Sequence, residues 1–257
     1  MDAIRRELVR LSRSLGDPAA DLAILGEGNT SAALGDGTFL VKASGTSLNT
    51  VDEDDLVRLE HAAVLDLIDD PRLADHDVAG LSARMRSTLV GSVTGRPSIE
   101  TMLHALSLEL PGVEVVGHTH PTAVNTLLCS DRAAELVAGS LFPDQVVVCG
   151  ANALLVPYAE PGLPLARAVR DGLRSHMEAH GTPPRLVYLG NHGIVALGAS
   201  TAQVLAITSM SVKAARVLAG ALAVGRPRYL DPATVHRLTH RPDEKHRQAL
   251  IAGRGRR

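Results

Sequence analysis

The chain has 257 residues, of which 45% are hydrophobic and 21% are charged. This composition is ordinary for a globular protein with a sizeable core, so one domain is the default expectation. The net charge of −2 gives no global electrostatic reason to expect nucleic acid or an anionic membrane as a partner. Only 2% of the residues are aromatic, which argues against stacking platforms for single-stranded nucleic acid.

The first sixteen residues predict an amphipathic helix rather than an export signal, because charges are spread along the segment and Ile4, Leu8 and Leu11 follow helical spacing. A run of about 18 uncharged apolar residues is missing from the sequence, so no membrane span is expected. Cys129 and Cys149 lie in apolar stretches without a CxxC spacing and are predicted to be small buried residues in a reducing compartment. We therefore expect a cytoplasmic protein.

The first third of the chain alternates short apolar runs with loops of small residues. Residues 22–25 are predicted as a strand that leads into GEGNTS at 26–31, and residues 32–41 as a hairpin that turns at two glycines. Thr50 and Glu53 match a capping box, which predicts a helix that continues through residue 67.

The rest of the chain mixes predicted strands and helices without strict alternation. Ser98 is predicted to begin a helix that ends before Pro111, and Pro121 to open another. Strands are predicted at 113–116, 145–149, 153–156, 186–189 and 194–197, helices at 165–180 and 200–223, and a basic, frayed tail at about 240–257. This order predicts an α/β domain with a mixed or mainly antiparallel sheet covered by helices.

His118 and His120 follow a predicted strand. Alternation along a strand directs both imidazoles to one face, about 6 to 7 Å apart at the backbone, so both can reach one ion. The pair alone is a weak signal, because hydrogen-bonded histidines at the end of a strand are common.

His192 stands between Asn191 and Gly193 at the tip of a predicted hairpin. Alone it would be interpreted as part of a polar turn. Three neutral imidazoles, however, are the usual set for a catalytic zinc that keeps a position open, whereas a closed structural site needs a fourth protein ligand. The three histidines together therefore predict a catalytic metal site.

Glu100 falls in the first turn of a predicted helix, where an ionised carboxylate is favoured. Capping of that helix is the simpler interpretation. Beside a cation that polarises a carbonyl group, the same carboxylate is a plausible proton shuttle. His104 lies four residues later on the same helix face and is expected to be structural rather than a ligand.

Two loops of small residues, GEGNTS at 26–31 and KASGTS at 42–47, follow predicted strands. Their backbone N–H groups and hydroxyls could hold an anion, or they could simply be tight turns. GEGNTS lacks the Gly-Lys-Ser/Thr end of a Walker loop, and Ser31 replaces the third glycine of a dinucleotide fingerprint.

These segments, in this order, resemble the class II aldolase/adducin family. The resemblance is carried by GEGNTS, VKASGTSL, RPSIETMLHAL, GHTHPTAVN and LGNHGIVALG between residues 26 and 198. Flanking pieces such as FPDQVVVCG and RPRYLDP look closest to the aldolase part of bifunctional rhamnulose-phosphate aldolase/short-chain dehydrogenase proteins, without a counterpart of the dehydrogenase part. The resemblance covers nearly the whole chain and implies one such domain over residues 1–257.

The resemblance also implies site residues. It implies that His118, His120 and His192 bind zinc, with manganese, cobalt or iron as alternatives that three histidines also accept. It implies Glu100 as the group that touches the resting metal site and moves protons, and Tyr229 as the best-placed tyrosine acid. The implied pocket for a substrate anion consists of Gly28, Asn29, Ser44, Gly45 and Ser98. Ile99 departs from the fuculose-phosphate enzymes, which have a second hydroxyl residue there.

The fold that the resemblance implies is a three-layer αβα sandwich, assembled as a homotetramer with active sites at subunit interfaces. The implied reaction is retro-aldol cleavage of a ketose or ketose phosphate through a metal-stabilised enediolate. Epimerisation, dehydration, decarboxylation or iron-dependent oxygenation at the same site remains open. So do a Schiff-base aldolase that uses Lys42 and a non-catalytic, adducin-like oligomerising module.

Overall fold

The computed structural model describes residues 1–91 and 95–241, and within them seven strands form one sheet. The strands are β1 (Asn29–Ala33), β2 (Thr38–Lys42), β3 (Leu56–Glu60), β4 (Val115–Thr119), β5 (Leu154–Val156), β6 (Leu186–Leu189) and β7 (Gly193–Gly198). Their order across the sheet is β3-β2-β1-β4-β7-β6-β5. All neighbours are antiparallel except β5 and β6, which run parallel. The prediction of a mixed, mainly antiparallel sheet is confirmed.

Helices cover both faces of this sheet. They are α1 (Asp2–Leu15), α2 (His61–Asp66), α3 (Val78–Ser87), α4 (Thr101–Leu108), α5 (Thr122–Leu128), α6 (Pro143–Cys149), α7 (Leu163–His180), α8 (Thr201–Val224) and α9 (Pro232–His240). Side chains of α2, α3, α4 and α7 join one hydrophobic cluster, and side chains of α1, α5, α6 and α8 join the other. Strand residues alternate between the two, so Val187 and Leu189 face one cluster and Leu186 and Tyr188 the other. The result is the predicted three-layer αβα sandwich.

The register at the centre of the sheet decides which polar residues meet. Asn29 of β1 lies directly opposite His118 of β4, and Val195 of β7 lies on the other side of His118. The turn between β6 and β7 therefore brings residue 192 to the end of β4. One end of the central strands thus gathers residues that are far apart in the chain.

Helix α8 is long and apolar enough, by length and composition, to cross a membrane. In its most apolar 18-residue segment, 44% is buried inside the protein. It packs against β4 and β7, and Val204 and Ile207 belong to the core. Core helices of many proteins meet the same criterion. Its position against the sheet accounts for its apolar composition.

One predicted helix was wrong over its first half. The capping box at Thr50 and Glu53 does not form, since the Thr50 hydroxyl donates to the Ser47 carbonyl. Residues Leu56–Glu60 form β3, and helix α2 begins only at His61. Leu56 and Leu59 fit helical spacing, but pairing with β2 decides the conformation and buries Val57 and Leu59 on one face.

Two predicted strands were also wrong. Residues 145–149 belong to α6, which Pro143 opens, and because all five are buried their pattern carries no period. Residues 22–25 form a loop in which Leu25 has a φ of +52°. The helix predicted from Ser98 begins at Thr101.

Several other expectations can be compared with the described residues. The amphipathic first helix, the β1–β2 hairpin, and the elements predicted at 153–156, 165–180, 186–189, 194–197 and 200–223 are confirmed within a few residues. Burial is confirmed for Cys149 and wrong for Cys129, which is exposed at the end of α5. The predicted tail lies outside the described residues from 242 onward.

Candidate metal centre

His118, His120 and His192 converge at the end of the central strands. His118 is the fourth residue of β4, His120 follows that strand, and His192 lies in the turn between β6 and β7. One ligating nitrogen from each ring lies within 4.8 Å of the other two, and the ring centroids are 4.8, 5.0 and 4.9 Å apart. Three imidazoles in this arrangement can surround a single ion and leave a coordination position open.

Hydrogen bonds to the backbone orient two of these residues. The Nδ1–H of His118 donates to the Ile194 carbonyl at 2.8 Å, which leaves Nε2 directed at the other two rings. The Asn125 amide donates to the His192 carbonyl at 2.9 Å and ties the β6–β7 turn to α5. Sequence reasoning missed Asn125, although it stands in the GHTHPTAVN segment.

His118 and His120 both have lowered pKa values, which favours the neutral form that a metal ligand must have. His118 is fully buried, and burial lowers its pKa because the protein interior disfavours an imidazolium ion. Burial, together with the neighbouring His118 and His192, lowers the pKa of His120 to about 4. Protons therefore compete weakly with a cation for these nitrogens.

Gly193 permits the close approach of the His192 turn to β4. A Cβ at this position would lie 2.5 Å from the Thr119 carbonyl oxygen and 2.7 Å from the Cδ2 atom of His120. Gly193→Ala is therefore expected to destabilise the fold by about 1–3 kcal/mol and to weaken zinc binding, because β7 and the His120 ring must shift. Denaturant unfolding and zinc titration measure the two effects.

The control for this substitution is Gly220→Ala. Gly220 lies within α8, and a Cβ there would meet no atom within 4 Å. This variant is expected to gain about 0.5–1 kcal/mol, because alanine is the better helix former. Wild-type stability and zinc affinity in Gly193→Ala would contradict the role given to the glycine.

Glu100 faces the histidines rather than its own helix. It is the N-cap residue of α4, yet its side chain makes no capping hydrogen bond to that described helix. Its Oε1 lies 3.2 Å from His192 Nε2, and its Oε2 lies 3.7 Å from His118 Nε2. Burial opposes ionisation of this carboxyl group, but His118, His192 and the amide of Asn29 outweigh it and lower its pKa. The carboxylate is thus ionised beside the three imidazoles.

A cavity of about 390 Å³ opens next to this carboxylate. The five residues predicted to form the substrate pocket all line it, together with Glu100 and His120; they are Gly28, Asn29, Ser44, Gly45 and Ser98. A larger cavity of about 610 Å³, lined by residues such as Pro183 and Gln203, includes none of these described residues. The convergence of ionisable groups, rather than volume, singles out the smaller cavity.

Two charged residues complete the cavity wall. The Lys42 ammonium is buried and donates to the carbonyls of Ala43 at 3.1 Å and Thr46 at 2.5 Å. Glu27, which sequence reasoning missed, places Oε1 3.8 Å from His120 Nδ1. Its position inside GEGNTS, beside two residues assigned to the pocket, was the available signal.

Tyr229 lies elsewhere in this chain. Its hydroxyl donates to Glu135, whose Oε2 is 2.8 Å away, and it is not among the residues that line the cavity. Burial and the Glu135 carboxylate raise its pKa. Its assignment as an acid stays a prediction.

The sequence profile described as the Class II Aldolase and Adducin N-terminal domain matches residues 6–219, so the chain belongs to the class II aldolase/adducin family. The aldolases of this family depend on a divalent metal, and the three-histidine site of this chain agrees with that requirement.

Comparison with individual proteins adds more distant relatives. The chain is 28% identical over 158 residues to the uncharacterized oxidoreductase YuxG of Bacillus subtilis, a match that covers 62% of this chain and only 20% of that protein. It is 26% identical over 199 residues to 3-oxo-tetronate 4-phosphate decarboxylase of Haemophilus influenzae, covering 77% of this chain and 78% of that one. A solved L-fuculose 1-phosphate aldolase superposes with a TM-score of 0.69 at 19% identity, covering 93% and 95% of the two chains, and so shares the fold.

Proposed function

We propose that this protein is a divalent-metal-dependent aldolase that reversibly cleaves a ketose or ketose phosphate into a dihydroxyacetone-type fragment and an aldehyde. The observation that carries the proposal is the convergence of the Glu100 carboxylate and three histidines at the wall of a cavity. Membership of the class II aldolase/adducin family and the fold shared with an L-fuculose 1-phosphate aldolase support it.

His118, His120 and His192 would hold the cation. When bound, a divalent cation supplies Lewis-acid stabilisation of the negative charge that develops on oxygen as the carbon–carbon bond breaks. Zinc is the proposed metal, and manganese, cobalt or iron are alternatives because three imidazoles accept all of them.

Glu100 would move the proton at the carbon next to the substrate carbonyl group. Its carboxylate lies at the cavity wall and is ionised, so it can accept a proton from that carbon and return it. In the free protein, the Asn29 amide and the imidazoles of His118 and His192 hold this carboxylate in place. Release from those contacts on substrate binding is the motion that the role requires.

The polar end of the substrate would meet Gly28, Asn29, Ser44, Gly45 and Ser98. These residues offer small side chains, backbone N–H groups and hydroxyls to an anion or a polyol. Ile99 has no hydroxyl to offer, and its side chain packs against the hydrophobic cluster that contains Met102 and Leu163. The proposal therefore includes substrates with and without phosphate.

Decarboxylation of a related sugar acid is the second candidate. The Haemophilus influenzae relative, similar over 77% of this chain, is a 3-oxo-tetronate 4-phosphate decarboxylase. Epimerisation, dehydration and iron-dependent oxygenation would use the same histidines. A panel of ketoses, ketose phosphates and 3-oxo acids, with products identified by NMR, distinguishes these reactions.

Removal of the metal is expected to abolish activity on that panel. Treatment with a strong chelator should lower the rate by at least about 100-fold, and added zinc, manganese, cobalt or iron should restore it. If chelation leaves the rate intact while borohydride traps a covalent adduct with substrate, Lys42 acts through a Schiff base instead. The donation of its ammonium to two carbonyl groups argues against that rival.

The assembly proposed for this enzyme is a cytoplasmic homotetramer with active sites at subunit interfaces. Sedimentation of the purified chain tests the subunit count. The non-catalytic, adducin-like rival predicts a protein that contains almost no metal when it is purified without chelator. Stoichiometric metal together with turnover of any panel substrate would reject that rival.

A further inference from the structure

Four polar side chains form a continuous chain between β1 and α4. Asn29 and Ser31 are two residues apart on one face of β1, and Glu100 and His104 lie one helical turn apart on one side of α4. Ser31 and His104 are both fully buried. The proposed function uses Asn29 and Glu100 of this set but gives no task to the other two.

The contacts run from one end of the set to the other. The Ser31 hydroxyl lies 2.7 Å from Nδ1 of His104, and Nε2 of His104 is hydrogen-bonded to the Asn29 Oδ1 atom. The Asn29 Nδ2 group donates to Oε2 of Glu100 at 3.0 Å. Each member is therefore joined to the next, and the last is the carboxylate beside the histidine cluster.

The chemistry of these groups fixes the direction of every hydrogen bond. The Nδ2 group of Asn29 faces Glu100 and its Oδ1 atom faces His104. An amide oxygen only accepts, so Nε2 of His104 carries the proton. Burial, together with the nearby His118, lowers the pKa of His104 to about 3, so the ring is neutral and Nδ1 accepts from the Ser31 hydroxyl.

Without the His104 donor, the Oδ1 atom of Asn29 loses the partner that helps to hold the amide in this orientation. An amide can turn by 180° and present its oxygen, instead of its N–H, to the carboxylate. Two acceptors would then face each other, and Glu100 would leave its position. The imidazole therefore helps to fix the end of Asn29 that faces Glu100.

We propose that His104, with its ring proton on Nε2 and with Nδ1 held by Ser31, is a positioning residue that orients Asn29 and thereby holds the Glu100 carboxylate beside His118 and His192. The effect of His104 on the reaction rate rests on the proposed function, whereas the position of its ring proton does not.

The first experiment detects the tautomer and needs neither metal nor substrate. Two-bond ¹⁵N–¹H NMR spectra of the zinc-free full chain, labelled on histidine, are recorded between pH 6 and 8, and loss of a signal in His104→Gln assigns the residue. The expected result is a neutral ring protonated on Nε2 throughout. An Nδ1–H tautomer, or an imidazolium ion in this range, would overturn the proposal.

The second experiment compares two amides at position 104 in zinc-loaded protein. The glutamine of His104→Gln can place a donor near the former Nε2, whereas the shorter asparagine of His104→Asn reaches only toward Ser31. Exchange of C–H protons of dihydroxyacetone and dihydroxyacetone phosphate with D₂O is followed by NMR. We expect His104→Asn to lose about 10–100-fold in kcat with KM little changed, and His104→Gln to retain most of the rate. Equal rates in the two variants would refute the positioning role.

Two substitutions of Ser31 test the proposal if His104→Asn does not fold. Ser31→Ala should slow exchange and Ser31→Thr should recover it. Ser107→Ala is the matched control, because it removes another buried hydroxyl, one that donates to the Leu103 carbonyl within α4. Zinc content and thermal unfolding are measured for each variant. A Ser31→Ala variant as fast as Ser107→Ala would contradict the proposal. If the wild type exchanges neither probe, the proposed function fails in that form. The tautomer of His104 measured by NMR then tests by itself whether the four side chains are hydrogen-bonded as proposed.

Discussion

Replacing His118 with asparagine is expected to lower zinc affinity by at least about 100-fold while the chain still folds. Partners outside the coordination sphere already contribute about 10–100-fold to affinity, so loss of a ligand should cost no less. Asparagine places its amide near the position of Nδ1 and can still donate to the Ile194 carbonyl, but it offers nothing in place of Nε2. Competition titration against a zinc chelator and the metal content of purified protein measure the loss.

The matched control is His176→Asn. His176 is also buried, and its ring lies 4.5 Å from that of His180, outside the candidate metal centre. This variant should keep the wild-type zinc affinity. Stoichiometric zinc at wild-type affinity in His118→Asn would mean that the ion binds elsewhere, and the assignment of the three histidines would fail.

The histidines could be predicted because each lies next to a recognisable local pattern. His118 and His120 follow an apolar run, and His192 is followed by the glycine of a short turn. Alternation along a strand and the shape of a hairpin are local properties, so sequence alone can place these side chains approximately. Glu100 was assigned to the site only together with the three histidines, because capping of its helix was the simpler interpretation of its position alone.

The contacts of His104 could not be predicted in this way. They depend on the register that sets Asn29 opposite His118 and on the packing of α4 over β1, which joins residues 71 to 75 positions apart. Pairing of distant strands leaves no trace in the order of apolar and polar residues. The sequence therefore indicated a structural role for His104 without its partners.

The errors in secondary structure have a related cause. The run at 145–149 is buried on all sides, so neither period appears in it, and only the packing of α6 against α8 decides that it is a helix. Leu56 and Leu59 are three residues apart, which suits a helix, but in β3 they lie on opposite faces of the sheet, each in one of the two hydrophobic clusters. Tertiary contacts decided both segments, and neither segment carries a residue of the candidate site.

Replacing Glu100 with glutamine is expected to leave zinc bound and to remove proton exchange. The substitution keeps the size of the side chain and an oxygen that can accept from the Asn29 amide, so the surroundings need not move. The three histidines remain available to the metal. A glutamine cannot take a proton from carbon, however, and loss of a general base costs about 10²–10⁴-fold in rate.

Exchange of the C–H protons of dihydroxyacetone and dihydroxyacetone phosphate with D₂O, measured at saturating zinc, gives the rate. Glu109→Gln is the matched control: Glu109 is the C-cap residue of the same helix, and its side chain is 65% exposed. This variant should exchange at the wild-type rate. Near wild-type exchange in Glu100→Gln would remove the carboxylate from the mechanism. If the variant loses both zinc and proton exchange, Glu100 is instead a necessary metal ligand. The proposed division between the group that moves protons and the groups that hold the metal would then be wrong.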